Sequence, residues 1–148
     1  MFSALRSPLS ALLICILSIV WGSTASAQPT FGNVVCSSTR ENPPPPAPAV
    51  YKIKGATSIT NVPAGATQIT VVFTFQKKVA GNWVDAFDTS VTTNPAGAGN
   101  ITTDYIGFSP AAAEEWRVKA DGFIAVQGPP PRTDTVPTAN SPAITPKP

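Results

Sequence analysis

The sequence predicts an all-β fold, a single antiparallel β-sandwich with proline-rich disordered flanks, and three observations lead to that prediction. Apolar and polar residues alternate in several short segments, as on strands with one buried face. Clusters of Gly, Asn and Pro separate these segments at the spacing of sandwich strands. Most prolines lie outside residues 49–128, whereas most aromatic residues lie inside that range. A compact domain between two segments that cannot form a core is therefore expected.

Period-two alternation predicts the individual strands. The clearest one runs from Gln68 to Gln76, where the odd-numbered residues are apolar and most even-numbered residues are polar. The Asp121-Gly122 pair predicts a tight hairpin, and Ser109 ahead of residues 110–115 predicts a single helical turn. Further strands are predicted at residues 51–54, 83–93, 101–108, 116–120 and 123–126.

Composition divides the chain into four segments. Residues 1–27 are predicted to be a signal peptide and residues 28–48 a proline-rich linker. The sandwich domain is predicted at 49–128, and a Pro/Thr-rich disordered tail at 129–148. Within the linker, residues 43–48 predict polyproline II, a stiff spacer.

The first segment has the three parts of a secretory signal. Arg6 gives it a positive charge, residues 11–21 are an apolar run too short to span a bilayer, and Ala25 and Ala27 form an A-x-A pattern. Cleavage is expected between Ala27 and Gln28. The alternative is an uncleaved N-terminal anchor. Lipidation at Cys15 is not expected, since Ile14 stands where a lipobox needs a small residue. We therefore expect an exported chain that is periplasmic, cell-surface or extracellular, with no membrane span after cleavage.

Composition also excludes several function classes. The chain has no His, so a Ser-His-Asp triad, a Cys-His dyad and an HExxH zinc site are impossible. A net charge of +2 gives no nucleic-acid footprint. The acids Asp85, Asp88, Asp104 and Asp121 lack the dense spacing of a calcium loop, and adjacent Glu114 and Glu115 would face opposite sides of a strand. We expect a protein that is not an enzyme and holds no metal or cofactor.

The aromatic residues and one cysteine are the candidate functional groups. Trp83, Phe87 and Tyr105 are candidates for ligand contact, as an aromatic platform for a sugar. Trp116 lies on the apolar side of its strand and is predicted to be buried. Cys36 is the only cysteine after the signal. Two alternatives stay open for it: an exposed thiol that forms a disulfide-linked dimer, or a buried inert thiol.

Several short motifs resemble the end of a fibronectin type III or related immunoglobulin-like domain. They are Phe108-Ser109-Pro110 followed by the strand Trp116 to Ala120. Trp83-Val84-Asp85 after a Gly-Asn turn, and a second Gly-Asn before Ile101, resemble immunoglobulin-like repeats of secreted bacterial proteins. The resemblance covers about 60 residues and implies a sandwich with adhesion or spacer roles. Trp116 stands where that family usually has Tyr.

Two functions are consistent with these observations. The first is a secreted, non-enzymatic structural or protein-contact module of the cell envelope or extracellular space, whose partner is an envelope protein. The alternative is a carbohydrate-binding module that uses exposed aromatic residues on an envelope polysaccharide. The exposure of Trp83 distinguishes them.

Overall fold

The computed structural model describes residues 26–47, 49–108 and 114–146, and it confirms the prediction of an all-β, sandwich-like fold. A 3-10 helix at Pro95–Gly99 lies in the cluster of Gly, Asn and Pro residues that precedes Ile101. The strands are β1 (Thr30–Phe31), β2 (Val35–Glu41), β3 (Val50–Thr57), β4 (Ile59–Thr60), β5 (Ala66–Val79), β6 (Asn82–Thr93), β7 (Ile101–Thr102), β8 (Ile106–Phe108), β9 (Trp116–Val126) and β10 (Arg132–Asn140).

All the pairings are antiparallel and form two main sheets. The large sheet has the order β10-β9-β5-β6. The small sheet has β2 beside β3, and both β7 and β8 pair with the other edge of β3. A short ribbon of β1 and β4 accompanies them. The outermost strands of the large sheet are therefore β10 and β6.

The core lies between the two sheets. Ile69, Val71, Phe73 and Phe75 on β5 are all fully buried, which confirms the predicted inner face of that strand. Buried residues of β3 and β9 complete the core, Ile53, Val118 and Ile124 among them. Large aliphatic and aromatic side chains stabilise a sandwich in proportion to the apolar area they remove from water.

The hairpin predicted at Asp121-Gly122 is wrong, because β9 continues through both residues. Gly122 is buried and pairs with Val71 on one side and Val136 on the other. A Cβ atom at this position would lie 2.8 Å from Val136 Cγ2 and 2.9 Å from Phe31 Cζ. The glycine therefore permits close packing inside the sheet and does not form a turn.

The predicted linker is part of the sandwich. β2 pairs with β3 over seven residues, from Val35 with Ala56 to Glu41 with Val50. The proline-rich stretch after β2 is a turn and not an extended spacer, since the Ala47 amide donates to the Pro44 carbonyl at 3.3 Å. The domain thus begins well before residue 49. The composition did not indicate this, because an edge strand is held by backbone pairing more than by apolar side chains.

The predicted disordered tail is also wrong for residues 132–146. β10 pairs with β9 from Arg132 opposite Val126 to Asn140 opposite Lys119, with a bulge between Val136 and Ala139. Beyond it, Ile144 exchanges two backbone hydrogen bonds with Trp116, each 2.8 Å long. The predictions for the signal peptide, as far as residue 25, and for the helical turn at 109–113 lie outside the described residues.

Candidate functional site

The three aromatic residues predicted to form one platform lie on three different surfaces. Trp83 is half-buried on the outer face of the large sheet, opposite Lys78. The Phe87 ring points toward the core and stacks on Phe75, with centroids 4.7 Å apart. Tyr105 lies beside the small sheet, 43% exposed, with the Lys54 ammonium 4.7 Å from its ring centroid. The prediction of a single aromatic platform is therefore wrong.

A β-bulge separates Trp83 from Phe87. Phe75 pairs with Phe87, but the next residue, Gln76, pairs with Asp85, so Ala86 is an extra residue on β6. Strict alternation would place residues 83, 85 and 87 on one face, and one inserted residue reverses the facing of everything beyond it. The bulge therefore turns Phe87 inward while Trp83 stays outside.

Trp83 belongs to a polar cluster that sequence reasoning did not find. Arg117 Nε donates to Gln76 Oε1 at 2.7 Å, and Gln76 Nε2 donates to Asp85 Oδ1 at 2.6 Å. The amide thus joins a cation to an anion, with its carbonyl toward the cation. Only the cross-strand register, which sets Gln76 between Arg117 and Asp85, could have indicated this chain.

The Trp83 indole covers this hydrogen-bonded chain. Its ring centroid lies 4.4 Å from the Arg117 guanidinium carbon, within cation–π distance. Because β5 lies between β6 and β9, the indole must extend across β5 above Gln76 to reach Arg117. Gln76 is accordingly only 7% exposed, although it is on the outer face of the sheet. The arrangement offers an aromatic and polar surface, and it holds no nucleophile next to a general base.

A second surface runs along the free edge of β6, the edge that pairs with no other strand of the described residues. A groove of about 340 Å³ lies between β6 and the β7–β8 edge of the small sheet. Hydroxyl groups are frequent on both walls, and the lining residues are Thr89, Ser90, Val91, Thr92, Thr102, Thr103, Asp104 and Ile106. Thr103 is buried, and its hydroxyl accepts from the Gly55 amide at 3.1 Å where β7 and β8 are interrupted.

Cys36 is buried, which is the second of the two alternatives. It is 6% exposed and pairs with Gly55 on the core side of the small sheet. Burial raises the pKa of its thiol to about 12, because a desolvated thiolate is unfavourable. A thiol that remains protonated and covered reacts poorly with a second thiol. The alternative of an exposed Cys36 thiol is therefore wrong.

Trp116 is buried as predicted, at 4% exposure. Its ring centroid lies 4.9 Å from that of Phe108 and 6.1 Å from that of Phe87. Among the described residues, its indole N–H has no hydrogen-bond partner. Trp116 therefore belongs to the core and contributes no exposed ring.

The acidic residues are distributed along strands and loops. Glu115 accepts from Lys78 at 2.6 Å, and Glu114 lies 3.9 Å from Lys77. Asp121 accepts from the Thr138 hydroxyl, and its other oxygen lies 3.8 Å from Lys119 Nζ. In the parts of the chain that the structure describes, no three His, Cys, Asp or Glu side chains lie close enough to share a metal ion.

No family model, curated protein or solved structure matches the chain.

The residues at the expected cleavage point, Ala27 and Gln28, are both exposed, and the Gln28 carbonyl accepts from Asn61 Nδ2 at 3.4 Å. Within the described residues, no helix has both the length and the hydropathy that a bilayer span requires.

Proposed function

We propose that the chain is an exported, non-enzymatic module of the immunoglobulin-like kind that makes protein contacts in the cell envelope or extracellular space. The apolar run and the A-x-A pattern of residues 1–27 support export. The absence of His from the sequence removes the commonest general base, which supports a binding role over a catalytic one.

The strand order supports the immunoglobulin-like assignment. In such sandwiches one sheet combines the first two strands with a later one, and the other combines the last two strands with the third. The small sheet combines β2 and β3 with β7 and β8, and the large sheet places β10 and β9 beside β5. This likeness in topology concerns the fold and carries no reaction.

The free edge of β6 is the observation that carries the protein-contact role. An edge strand presents unpaired amides and carbonyls, and proteins protect such edges with prolines, bulges, charges or short strands. β10 has Pro137 and a bulge, β2 ends in Arg40 and Glu41, and β7 and β8 have two and three residues. On β6, the bulge at Ala86 precedes a regular stretch.

That regular stretch, the β6 edge, comprises residues 87–93. It contains one charged residue, Asp88, and no proline. Five consecutive residues after Asp88 are Thr, Ser or Val, of which Thr and Val favour strands. An extended segment of a partner can add to such an edge through backbone hydrogen bonds, a common mode of protein recognition.

A photoreactive side chain at the β6 edge tests this role. Benzoylphenylalanine in place of Ser90, in the cells that make the protein, should give adducts that protease digests. The same group in place of Thr135, on the protected edge strand β10, should give few. Equal labelling from both positions, or adducts that resist protease and yield to glycosidases, would count against protein contact through β6.

Carbohydrate binding is the second candidate, and the Trp83 cluster is the observation that favours it. An indole next to charged and amide groups can stack on a sugar ring and bond its hydroxyls. Titration with envelope polysaccharide should then show binding that Trp83→Ala abolishes and Tyr105→Ala retains. Retained binding by Trp83→Ala would exclude this surface as the sugar site.

A further inference from the structure

We infer that the partner of the β6 edge is a second copy of this chain, paired antiparallel about a two-fold axis at Ser90. The inference rests on the proposed contact role of that edge and names its occupant. In this register Ser90 faces its own copy, Val91 faces Thr89, Thr92 faces Asp88 and Thr93 faces Phe87. The result would be one eight-stranded sheet formed by two large sheets.

The pattern of burial on β6 supports such an occupant. Phe87, Thr89, Val91 and Thr93 are on the core side of the edge, and each is only half-buried. A two-fold axis perpendicular to the sheet keeps the core side of both copies on the same side. The half-buried row of one copy therefore meets the same row of the other. Each copy covers the edge of β6 that the small sheet of the other copy leaves open.

Charge is compatible with pairing of identical edges. Asp88 is the only charged residue among residues 87–93, and the register places it opposite the neutral Thr92. The two Asp88 residues are then offset by four positions, about 13 Å along the strands at about 3.3 Å per residue. This separation exceeds the Debye length of about 8 Å at physiological ionic strength, so their repulsion is largely screened.

The interface is small, and its chemistry is non-covalent. Seven paired residues bury less area than a standard stable interface, so we expect a weak dimer with a dissociation constant in the micromolar range or above. Buried Cys36 is not needed for it. The dimer should therefore persist under reducing conditions and in Cys36→Ser.

Sedimentation equilibrium tests the inference, with protein purified from the cells that naturally make it. Mass should increase toward that of a dimer as concentration rises from about 10 to 500 μM. Ser90→Lys places two like charges opposite each other at the axis, and it should weaken the dimer at least tenfold. Thr135→Lys on β10 is the matched control and should leave the dimer unchanged. Thermal melts of both variants establish that they are folded.

Cysteine pairs test the register independently. In a Cys36→Ser background, Ser90→Cys should form a disulfide across the axis, since residues directly opposite on antiparallel strands have Cα atoms about 4.5 to 5.5 Å apart. Thr92→Cys faces Asp88 and should not crosslink. Crosslinking of Thr92→Cys as readily as Ser90→Cys would overturn this register, and a monomer at every concentration would overturn the dimer.

The two proposals fail in different ways. A monomeric chain whose photoreactive Ser90 position still captures a different protein overturns the second-copy inference and retains the contact role. No adduct from that position, together with a monomer, overturns both. An adduct with twice the mass of the chain supports both.

Discussion

The inner and outer faces of β5 bury their residues by different means. On the inner face, apolar side chains from both sheets enclose Phe73 and Phe75 completely. On the outer face, Gln76 is nearly as buried, but it is surrounded by side chains of the same sheet, the Trp83 indole among them. Two hydrogen bonds compensate its polarity. Burial on the inner face thus comes from packing between two sheets, whereas at Gln76 on the outer face it comes from side chains of the same sheet.

Trp116→Ala should give the largest loss, because it removes an inner-face side chain that packs against Phe87 and Phe108. We expect the free energy of unfolding to fall by about 3 to 5 kcal/mol, from lost transfer energy and the cavity left behind. Chemical denaturation measures this change. Trp116→Phe is the control and should lose much less. A melt unchanged in Trp116→Ala would show that the inner face does not depend on this ring.

Gly122→Ala tests how closely the inner face is packed. The added methyl group would lie within 3 Å of Val136 and Phe31, so we expect a loss of about 1 to 3 kcal/mol from overpacking. Gly99→Ala is the control, since a Cβ there meets no atom within 4 Å. In the double variant Gly122→Ala/Val136→Ala, the loss should be smaller than the sum of the two single losses. Equal denaturation midpoints for Gly122→Ala and the wild type would contradict the close approach.

Cys36, on the core side of the small sheet, should make the protein less stable at alkaline pH. Its pKa is about 12 when folded and about 9 as a free thiol, so the unfolded chain releases the proton first. The contribution of the protonated thiol to the free energy of unfolding is complete below pH 9. It is lost between pH 9 and 12, by about 1.4 kcal/mol per pH unit. The difference in unfolding free energy between wild type and Cys36→Ala, measured from pH 8 to 10.5, should follow this slope. A difference independent of pH would mean an accessible thiol.

Trp83→Ala should give the smallest loss and sharpens the contrast between the faces. It removes the cation–π contact with Arg117 and admits water to Gln76, and we expect a loss of about 1 kcal/mol. Solvent access would show as faster hydrogen exchange of the amides of β5 near Gln76. Phe123→Ala, an exposed ring on the same face, is the control and should change neither. A loss as large as that of Trp116→Ala would show that the two faces do not differ in this way.

The inner face could be predicted from sequence because it repeats one signal. Every second residue from Ile69 to Phe75 is large and apolar, and no competing structure uses that period. The edge strands β2 and β10 were not predicted from the sequence. They are held by backbone pairing and bury few side chains, so they lack a clear pattern of apolar residues. Val136 is the only buried residue of β10, which otherwise resembles a polar tail.

The Trp83 cluster and the role of Gly122 in β9 were not predicted from the sequence, for other reasons. Arg117, Gln76 and Asp85 come from three strands, so only the register reveals that they meet. Asp121-Gly122 has the residues of a hairpin turn, but the glycine is needed for contact with Val136 and Phe31. Local sequence shows which conformations a residue can adopt, and tertiary contacts determine which of them it adopts in the folded protein.

Gly122 also has a consequence for the order in which the protein can fold. Its two neighbours, Phe31 and Val136, come from opposite ends of the described chain, and all three must meet for the core to close at this point. Pairings between residues far apart in sequence form slowly, because loop-closure entropy is lost before they stabilise the chain. A chain still emerging from the ribosome lacks β10 and cannot close this corner. The sandwich can therefore close at this corner only after almost all of the described chain has been synthesised.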